Sequence, residues 1–326
     1  MPIACRVTRG DHTESIHIAF AVVVDSSGNP IFSTGDSQYF TCIRSSLKPF
    51  QAAASVKQGA VEAAGFNMQE LALMCASHKG QRMHQNVVSK MLEKLGMTVN
   101  ELECGSHYPS DKMTKNQLIF EKTRPRAIHN NCSGKHAGML AIAKHLGYPI
   151  NNYINKNHPV QKTIIKYVKS ITGLKDIATE IDGCSVPTPF LTLQTIAEMF
   201  QMLASGTRPE LEQVYNAMSQ YPEMIGGSNH FDSIFINSLK GRGITKVGGE
   251  AIRGIAIKTE NQGPIGIAIK ILDGNFRAMP VIVMKLLEHL GLLMKDELTK
   301  LDKFRTNVLT NHNGIEYGRM EAYIDF

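Results

Sequence analysis

Ile16-His17-Ile18-Ala19-Phe20-Ala21-Val22-Val23-Val24, followed at once by Asp25-Ser26-Ser27-Gly28-Asn29-Pro30, sets the architecture. The apolar, β-branched run favours an extended strand. Asp-Ser-Ser-Gly-Asn-Pro is turn chemistry, and residues 31–33 resume extended character, so 16–33 reads as a β-hairpin. Downstream the texture becomes helical. A helix opens at Ser45 or Ser46 and runs through Gln51-Ala52-Ala53-Ala54 toward Gly59. Pro49 falls in its first turn, where the missing N–H costs nothing. Asn67 caps a segment over 67–75, and the amphipathic 87–95 closes at Gly96. Residues 135–146 close at Gly147, and a helix starting at Pro159 ends near Gly173. Segments 192–203 and 210–218 continue the helical middle.

After about Gly241 extended texture returns. Residues 254–258 and 265–271 are short strands separated by Asn261-Gln262-Gly263-Pro264, with Asp273-Gly274-Asn275 as the next turn. A helix over 278–290 closes at Gly291. Strands at both ends and helices between predict an α+β, mixed α/β protein whose N- and C-terminal strands share one sheet. Without repeat, linker or low-complexity segment, residues 1–326 read as a single compact domain with two lobes. The sheet lobe takes about 1–60 plus 240–326, and the helical lobe about 61–239.

Composition narrows the classes of function. Apolar residues make up 43% and charged residues 20%, which is ordinary for a globular chain and excludes wholesale disorder. A net charge of +6 raises the question of a polyanion partner. The densest basic stretch, 162–169, alternates with Ile164, Ile165, Tyr167 and Val168, as the polar face of an amphipathic helix does, so no nucleic-acid partner is expected. No apolar run approaches the roughly 18 residues of a spanning helix. Met1-Pro2-Ile3-Ala4-Cys5-Arg6 lacks the layout of a signal peptide. Six cysteines with no Cys-x-x-Cys pair make no disulfide framework. These features predict a reduced, cytoplasmic protein.

Ser45-Ser46-Leu47-Lys48 contains Ser-x-x-Lys. At a helix start, residues three apart share a face, so the Lys48 amine can reach the Ser45 oxygen and take its proton when neutral. Arg44 next door adds positive field; it is either a clamp for a substrate carboxylate or an ion-pair partner. Taken alone the motif is weak, because a capping serine followed by a surface lysine is commonplace. Two further elements change its weight. Cys75-Ala76-Ser77-His78 puts a second serine at the end of an apolar helix, and Lys246-Val247-Gly248-Gly249 puts a lysine on an extended segment beside small residues. Ser-x-x-Lys, a serine, then Lys-x-Gly, in that order, is the pattern of penicillin-recognising serine hydrolases. It implies two pairs, Ser45 with Lys48 and Ser77 with Lys246.

A second constellation is His129-Asn130-Asn131-Cys132-Ser133-Gly134-Lys135-His136-Ala137-Gly138-Met139-Leu140, polar and small residues leading into an apolar helix. Asp182-Gly183-Cys184-Ser185-Val186-Pro187-Thr188-Pro189 is a matching loop stiffened by two prolines. Cys132 and Cys184 are either inert buried thiols or soft ligands for a shared metal. His136 is either a satisfied core histidine or a group that orients a ligand or an acid such as Asp182.

Together these motifs resemble the Rhizobium-type asparaginases, also called asparaginase II, over nearly the whole length. The resemblance rests on Arg44-Ser45-Ser46-Leu47-Lys48-Pro49, on Cys75-Ala76-Ser77-His78, and above all on the Asn130–Leu140 block. Asp182-Gly183-Cys184 with Pro187-Thr188, Lys246-Val247-Gly248, Gly266-Ile267-Ala268-Ile269-Lys270 and Asp273-Gly274-Asn275 complete it. It implies hydrolysis of L-asparagine to aspartate and ammonia on a fold similar to serine β-lactamases and glutaminases, in a homodimer. It also implies Ser45 as nucleophile, Lys48 as its base, Ser77 with Lys246 as a second pair, and zinc held by Cys132, Lys135 and Cys184. No organic cofactor is implied. Ser185 stands where many relatives carry glycine, and Gly249-Glu250-Ala251-Ile252 replaces a common Gly-Ala-Glu-Gly run. Those departures bear on substrate preference and rate. The rivals are a glutaminase or other Ser-x-x-Lys hydrolase, and an inactive amino-acid-binding protein.

Overall fold

Three strands open the chain: β1 (Ile3–Arg9), β2 (His12–Val24) and β3 (Pro30–Thr34), with the apolar run of the hairpin inside β2. The computed structural model describes residues 1–324. Short β4 (Phe40–Cys42) follows, then β5 (Thr179–Ile181) and β6 (Pro187–Thr192) after a long helical stretch. The last strands are β7 (Gly243–Gly248), β8 (Ile252–Thr259), β9 (Gly263–Ile271), β10 (Asn307–Thr310) and β11 (Glu316–Tyr323). The protein is α+β as expected. The chain divides into two compact units.

The sheet unit is assembled from Met1–Thr41, Leu191–Ser205 and the chain from Ser238 onward. Its strands run in the order β10-β11-β1-β2-β9-β8-β7, with β3 also on β2. N- and C-terminal strands do share one sheet: β1 pairs antiparallel with β11, Ala4 opposite Tyr323 and Val7 opposite Met320. The middle strands are buried almost continuously, through Ile255 and Ile257 on β8 and Ile265, Ile267, Ile269 and Ile271 on β9. Each such side chain contributes about 1.5–3 kcal/mol on leaving water. The helix Leu193–Ser205 lies directly on β8 and β9. At Gly266 a Cβ would stand 2.0 Å from the Ala197 carbonyl oxygen and 2.3 Å from the Gln201 nitrogen, so only glycine lets helix and strand backbones meet.

The helical unit comprises Cys42–Phe190 and Gly206–Asn237. Its centre is the helix Ser133–His145, buried from Ser133 through Ala143. Helices Lys48–Lys57, Met68–Met74 and Arg82–Leu95 pack around it. A Cβ on Gly134 would lie 2.4 Å from the Leu73 carbonyl oxygen, which is how closely the helix start approaches Met68–Met74. Asn67 caps that helix in a reciprocal box with Glu70, and Gly96 and Gly173 end their helices in the left-handed conformation.

Two boundaries differ from the sequence expectation. Residues 42–57 belong to the helical unit, because Lys48–Lys57 packs on Ser133–His145, Pro159–Thr172 and Pro209–Gln220. Leu193–Ser205 belongs to the sheet unit because its apolar face covers β8 and β9.

Candidate active site

The segment expected to open a helix at Ser45 is tighter than an α-helix. Arg44–Leu47 forms a 3-10 turn, in which the Lys48 N–H bonds to the Ser45 carbonyl, and the α-helix begins at Lys48. Arg44 sits at φ +49°, a left-handed conformation that costs a non-glycine residue about 1 kcal/mol or more. It is held there by Asp182, whose Oδ1 accepts from Arg44 Nε at 2.7 Å and from the Gly183 N–H at 2.8 Å. Of the two roles considered for Arg44, the ion pair is present.

Lys48 is 1% exposed. Its Nζ donates to the Ala76 carbonyl at 2.5 Å and to Ser77 Oγ at 3.0 Å. Among the described residues no hydrogen bond joins Nζ to the Ser45 hydroxyl, which is half-buried. The structure therefore brings the lysine of Ser-x-x-Lys to the serine of the second motif. Ser77 lies on the turn that follows Met68–Met74, fixed by its N–H on the Ile225 carbonyl at 2.9 Å. Lys246 is on β7 in the sheet unit, fully buried, its Nζ donating to the Val247 carbonyl at 2.7 Å.

The thiols and Lys135 converge. Lys135 Nζ lies 2.8 Å from Cys184 Sγ, and the Cys132 thiol donates to Asn131 Oδ1 at 3.3 Å. Lys135 and both cysteines are buried. The neighbouring Cys184 thiol, then the charges of Lys48 and Lys135, draw the Cys132 thiol well below its ordinary range despite burial. The neighbouring Cys132 thiol, with burial, pushes the Cys184 thiol up. Burial opposes the charge of Lys135, yet the neighbouring thiols raise its amine above the usual value. Burial likewise opposes Asp182, and the Lys135 and Arg44 charges still hold its carboxyl low. The charge of the Lys48 amine, which lies on Ser77 Oγ at 3.0 Å, also lowers the Cys132 thiol. Among the described residues no three His, Cys, Asp or Glu side chains form a metal cluster. Once the Lys135 amine gives up the proton its neighbours favour, two soft sulfurs and a nitrogen are at hand in one buried region, a donor set that fits zinc.

His136, next along the helix, is fully buried. Its Nδ1 pairs with Tyr153 OH at 2.8 Å, and that oxygen accepts the Glu103 N–H at 2.8 Å. The other ring nitrogen, Nε2, is buried and has no partner among the described residues. Burial, then the charges of Lys135 and Lys48, keep this imidazole neutral. Tyr153 and the Ser133 hydroxyl were not singled out in the sequence. Neither stands in a pattern that separates it from an ordinary core tyrosine or helix-start serine.

A buried lysine amine on a serine hydroxyl, beside a thiol–lysine–carboxylate cluster, defines a polar centre equipped for proton transfer. The family described as L-asparaginase II matches residues 5–322, and the chain belongs to it. It is accordingly a hydrolase of the amide-cleaving class. Solved structures similar to the chain include a class A beta-lactamase from Mycobacterium abscessus, at 15% identity over 84% of this chain and 94% of that one, TM-score 0.40. A beta-lactamase from Burkholderia ambifaria has 14% identity over 78% and 84%, TM-score 0.37. A comparison with curated proteins gives no match.

Proposed function

We propose that the protein hydrolyses L-asparagine to L-aspartate and ammonia through a β-aspartyl ester on Ser45. The observation that carries the reading is the buried Lys48 amine on Ser77 Oγ, three residues beyond Ser45. Lys48 in its neutral form takes the Ser45 proton as Oγ bonds to the amide carbon. Backbone N–H groups at the turn hold the oxyanion, a contribution of about 3 kcal/mol. The C–N bond then breaks, and ammonia leaves with a proton passed from Lys48 by Ser77. Water adds to the ester, the carbon–Oγ bond breaks, and Ser45 regains its proton. Arg44, aimed by Asp182, receives the substrate α-carboxylate, and His136, whose Nε2 has no partner among the described residues, serves a polar group of the substrate. Cys132, Lys135 and Cys184 would hold zinc, which supplies positive charge and ties the 182–185 loop to the helix start. The protein is cytoplasmic and dimeric in this reading; no helix among the described residues is long and apolar enough to cross a membrane.

One observation favours a second reading, in which Ser77 is the nucleophile: its hydroxyl, at 3.0 Å, is the one bonded to Lys48. Ammonia release from L-asparagine and L-glutamine by wild type, Ser45→Ala and Ser77→Ala, with mass mapping of the acylated serine, separates the two. An ester on Ser45, lost in Ser45→Ala, supports the first reading. An ester on Ser77 with an active Ser45→Ala enzyme overturns it. Glutamine turnover alone transfers the reading to a glutaminase, and silence on both amides to a binding protein. Chromatography with light scattering tests the dimer.

A further inference from the structure

Beside Ser77 stands an imidazole for which the proposed reaction has no use. His78 is 1% exposed. Its Nδ1 accepts the Gly80 N–H at 3.1 Å, which fixes the ring proton on Nε2. Nε2 donates to Ser133 Oγ at 2.9 Å, and that hydroxyl donates to the Ile128 carbonyl at 3.2 Å. Ser133 is the first residue of the helix Ser133–His145, between Cys132 and Lys135 in the chain. The His78 N–H also bonds to the Asn131 carbonyl at 3.3 Å, so the turn and the helix start are tied by backbone and side chain together. On the ring's face lies His84, stacked with centroids 4.8 Å apart and planes 12° from parallel. His84 is itself anchored at Nε2 by the Glu223 carbonyl, at 3.1 Å. Burial, then the charges of His84 and Lys48, keep the His78 ring neutral, which preserves the Nδ1 lone pair for Gly80.

We propose that His78 is a positioning residue for Ser77: its Nε2–H to Ser133 Oγ bond locks the Ser77 turn against the start of the helix that bears Lys135. The inference rests on the reading of Ser77 as part of the proton path from Lys48. Ser77 Oγ meets Lys48 Nζ at hydrogen-bond distance, and its place is set by the turn of which His78 is the next residue. A displacement of about 1 Å at such a site costs on the order of 100-fold in rate.

The variants that test it are His78→Leu, which removes both ring bonds; His78→Gln, whose amide nitrogen reaches the place of Nε2; and His78→Asn, which restores only the acceptor for Gly80. Ser133→Ala removes the other partner. For each, kcat and KM for asparagine, the labelling rate of the site serine by a fluorophosphonate, and the thermal midpoint are measured. In His78→Leu, kcat and labelling fall about 100-fold while KM stays within about threefold. His78→Gln regains most of the rate and His78→Asn does not. Ser133→Ala shows the same loss, and the double variant with His78→Leu loses no more. A His78→Leu protein with wild-type kcat and labelling overturns the inference. So does a loss that follows the thermal midpoint and is repaired equally by Asn and Gln. If wild type releases no ammonia from asparagine, the substrate reading fails. The labelling rates still decide the role of His78: unchanged across the variants they overturn it, and lost in Leu but regained in Gln they support it.

Discussion

Lys48 is the residue on which the site is most sharply testable. Its amine is buried between the Ala76 carbonyl and Ser77 Oγ, so Lys48→Met keeps the volume and deletes the base. Turnover should fall by about 1,000-fold or more, in the range of lost nucleophile–base pairs, with the thermal midpoint close to wild type. A variant retaining tenth-scale activity would remove Lys48 from the mechanism. Ser185 makes the opposite kind of prediction. It sits at φ +74°, where a side chain is strained and glycine is not. Ser185→Gly should stabilise the protein by about 0.5–1 kcal/mol, net of the added freedom of the unfolded chain, read as a rise in thermal midpoint. At this scale motif and order pointed to Arg44, Lys48, Ser77 and the thiols, and the structure sets Arg44 on Asp182, Lys48 on Ser77 and Lys135 on Cys184. The partner of Lys48 was not legible in the sequence. Ser-x-x-Lys spacing pointed Lys48 at Ser45, whereas the 3-10 turn and the burial of the amine direct it to a carbonyl and hydroxyl 28 and 29 residues away in sequence.

Among elements, the helix Ser133–His145 carries the most consequence, because its first turn supplies Ser133, Lys135 and His136 while packing backbone-to-backbone on Met68–Met74. Gly134→Ala should therefore act on fold and site together. A methyl 2.4 Å from the Leu73 carbonyl cannot be accommodated by side-chain motion, and the helix must shift. A loss of about 1–3 kcal/mol in urea unfolding is expected, with the altered pairing of Lys135 and Cys184 visible as a changed thiol reactivity. An Ala variant with wild-type unfolding and thiol kinetics would show that the close approach is not tight. Helix ends were the best-read features of the sequence: Asn67, Gly96, Pro159 and Gly173 announce themselves by capping chemistry that needs no tertiary context. Strands β1, β10 and β11 were missed, because β1 and β11 mix apolar and charged residues without a regular period and β10 is mostly exposed. Only their pairing in the sheet makes them strands.

At the scale of the whole molecule, buried neutral histidines govern acid stability. His78 and His136 are held well below the ordinary histidine value by burial first. Below pH about 6.5 the unfolded chain protonates them while the native state does not, so the unfolded state binds more protons and stability falls as pH falls. Each contributes about 1.4 kcal/mol per pH unit between the unfolded value and its depressed native one. The thermal midpoint should drop steadily from pH 7 to pH 5, and a flat profile would contradict the neutral burial of both rings. The sheet-and-helix plan was legible because strand and helix textures segregate along the chain. The exchange of 42–57 and 191–205 between units was not, since which surface an amphipathic helix covers is decided by partners far away in sequence. One pairing has a consequence for how the protein is made. β1 leaves the ribosome about 300 residues ahead of its neighbour β11, yet Ala4 stands opposite Tyr323. At about 5–20 residues per second, β1 waits roughly 15–60 s beside β2 with one edge open. Nascent chains stalled before β11 are thus the species most exposed to mispairing and most dependent on chaperones.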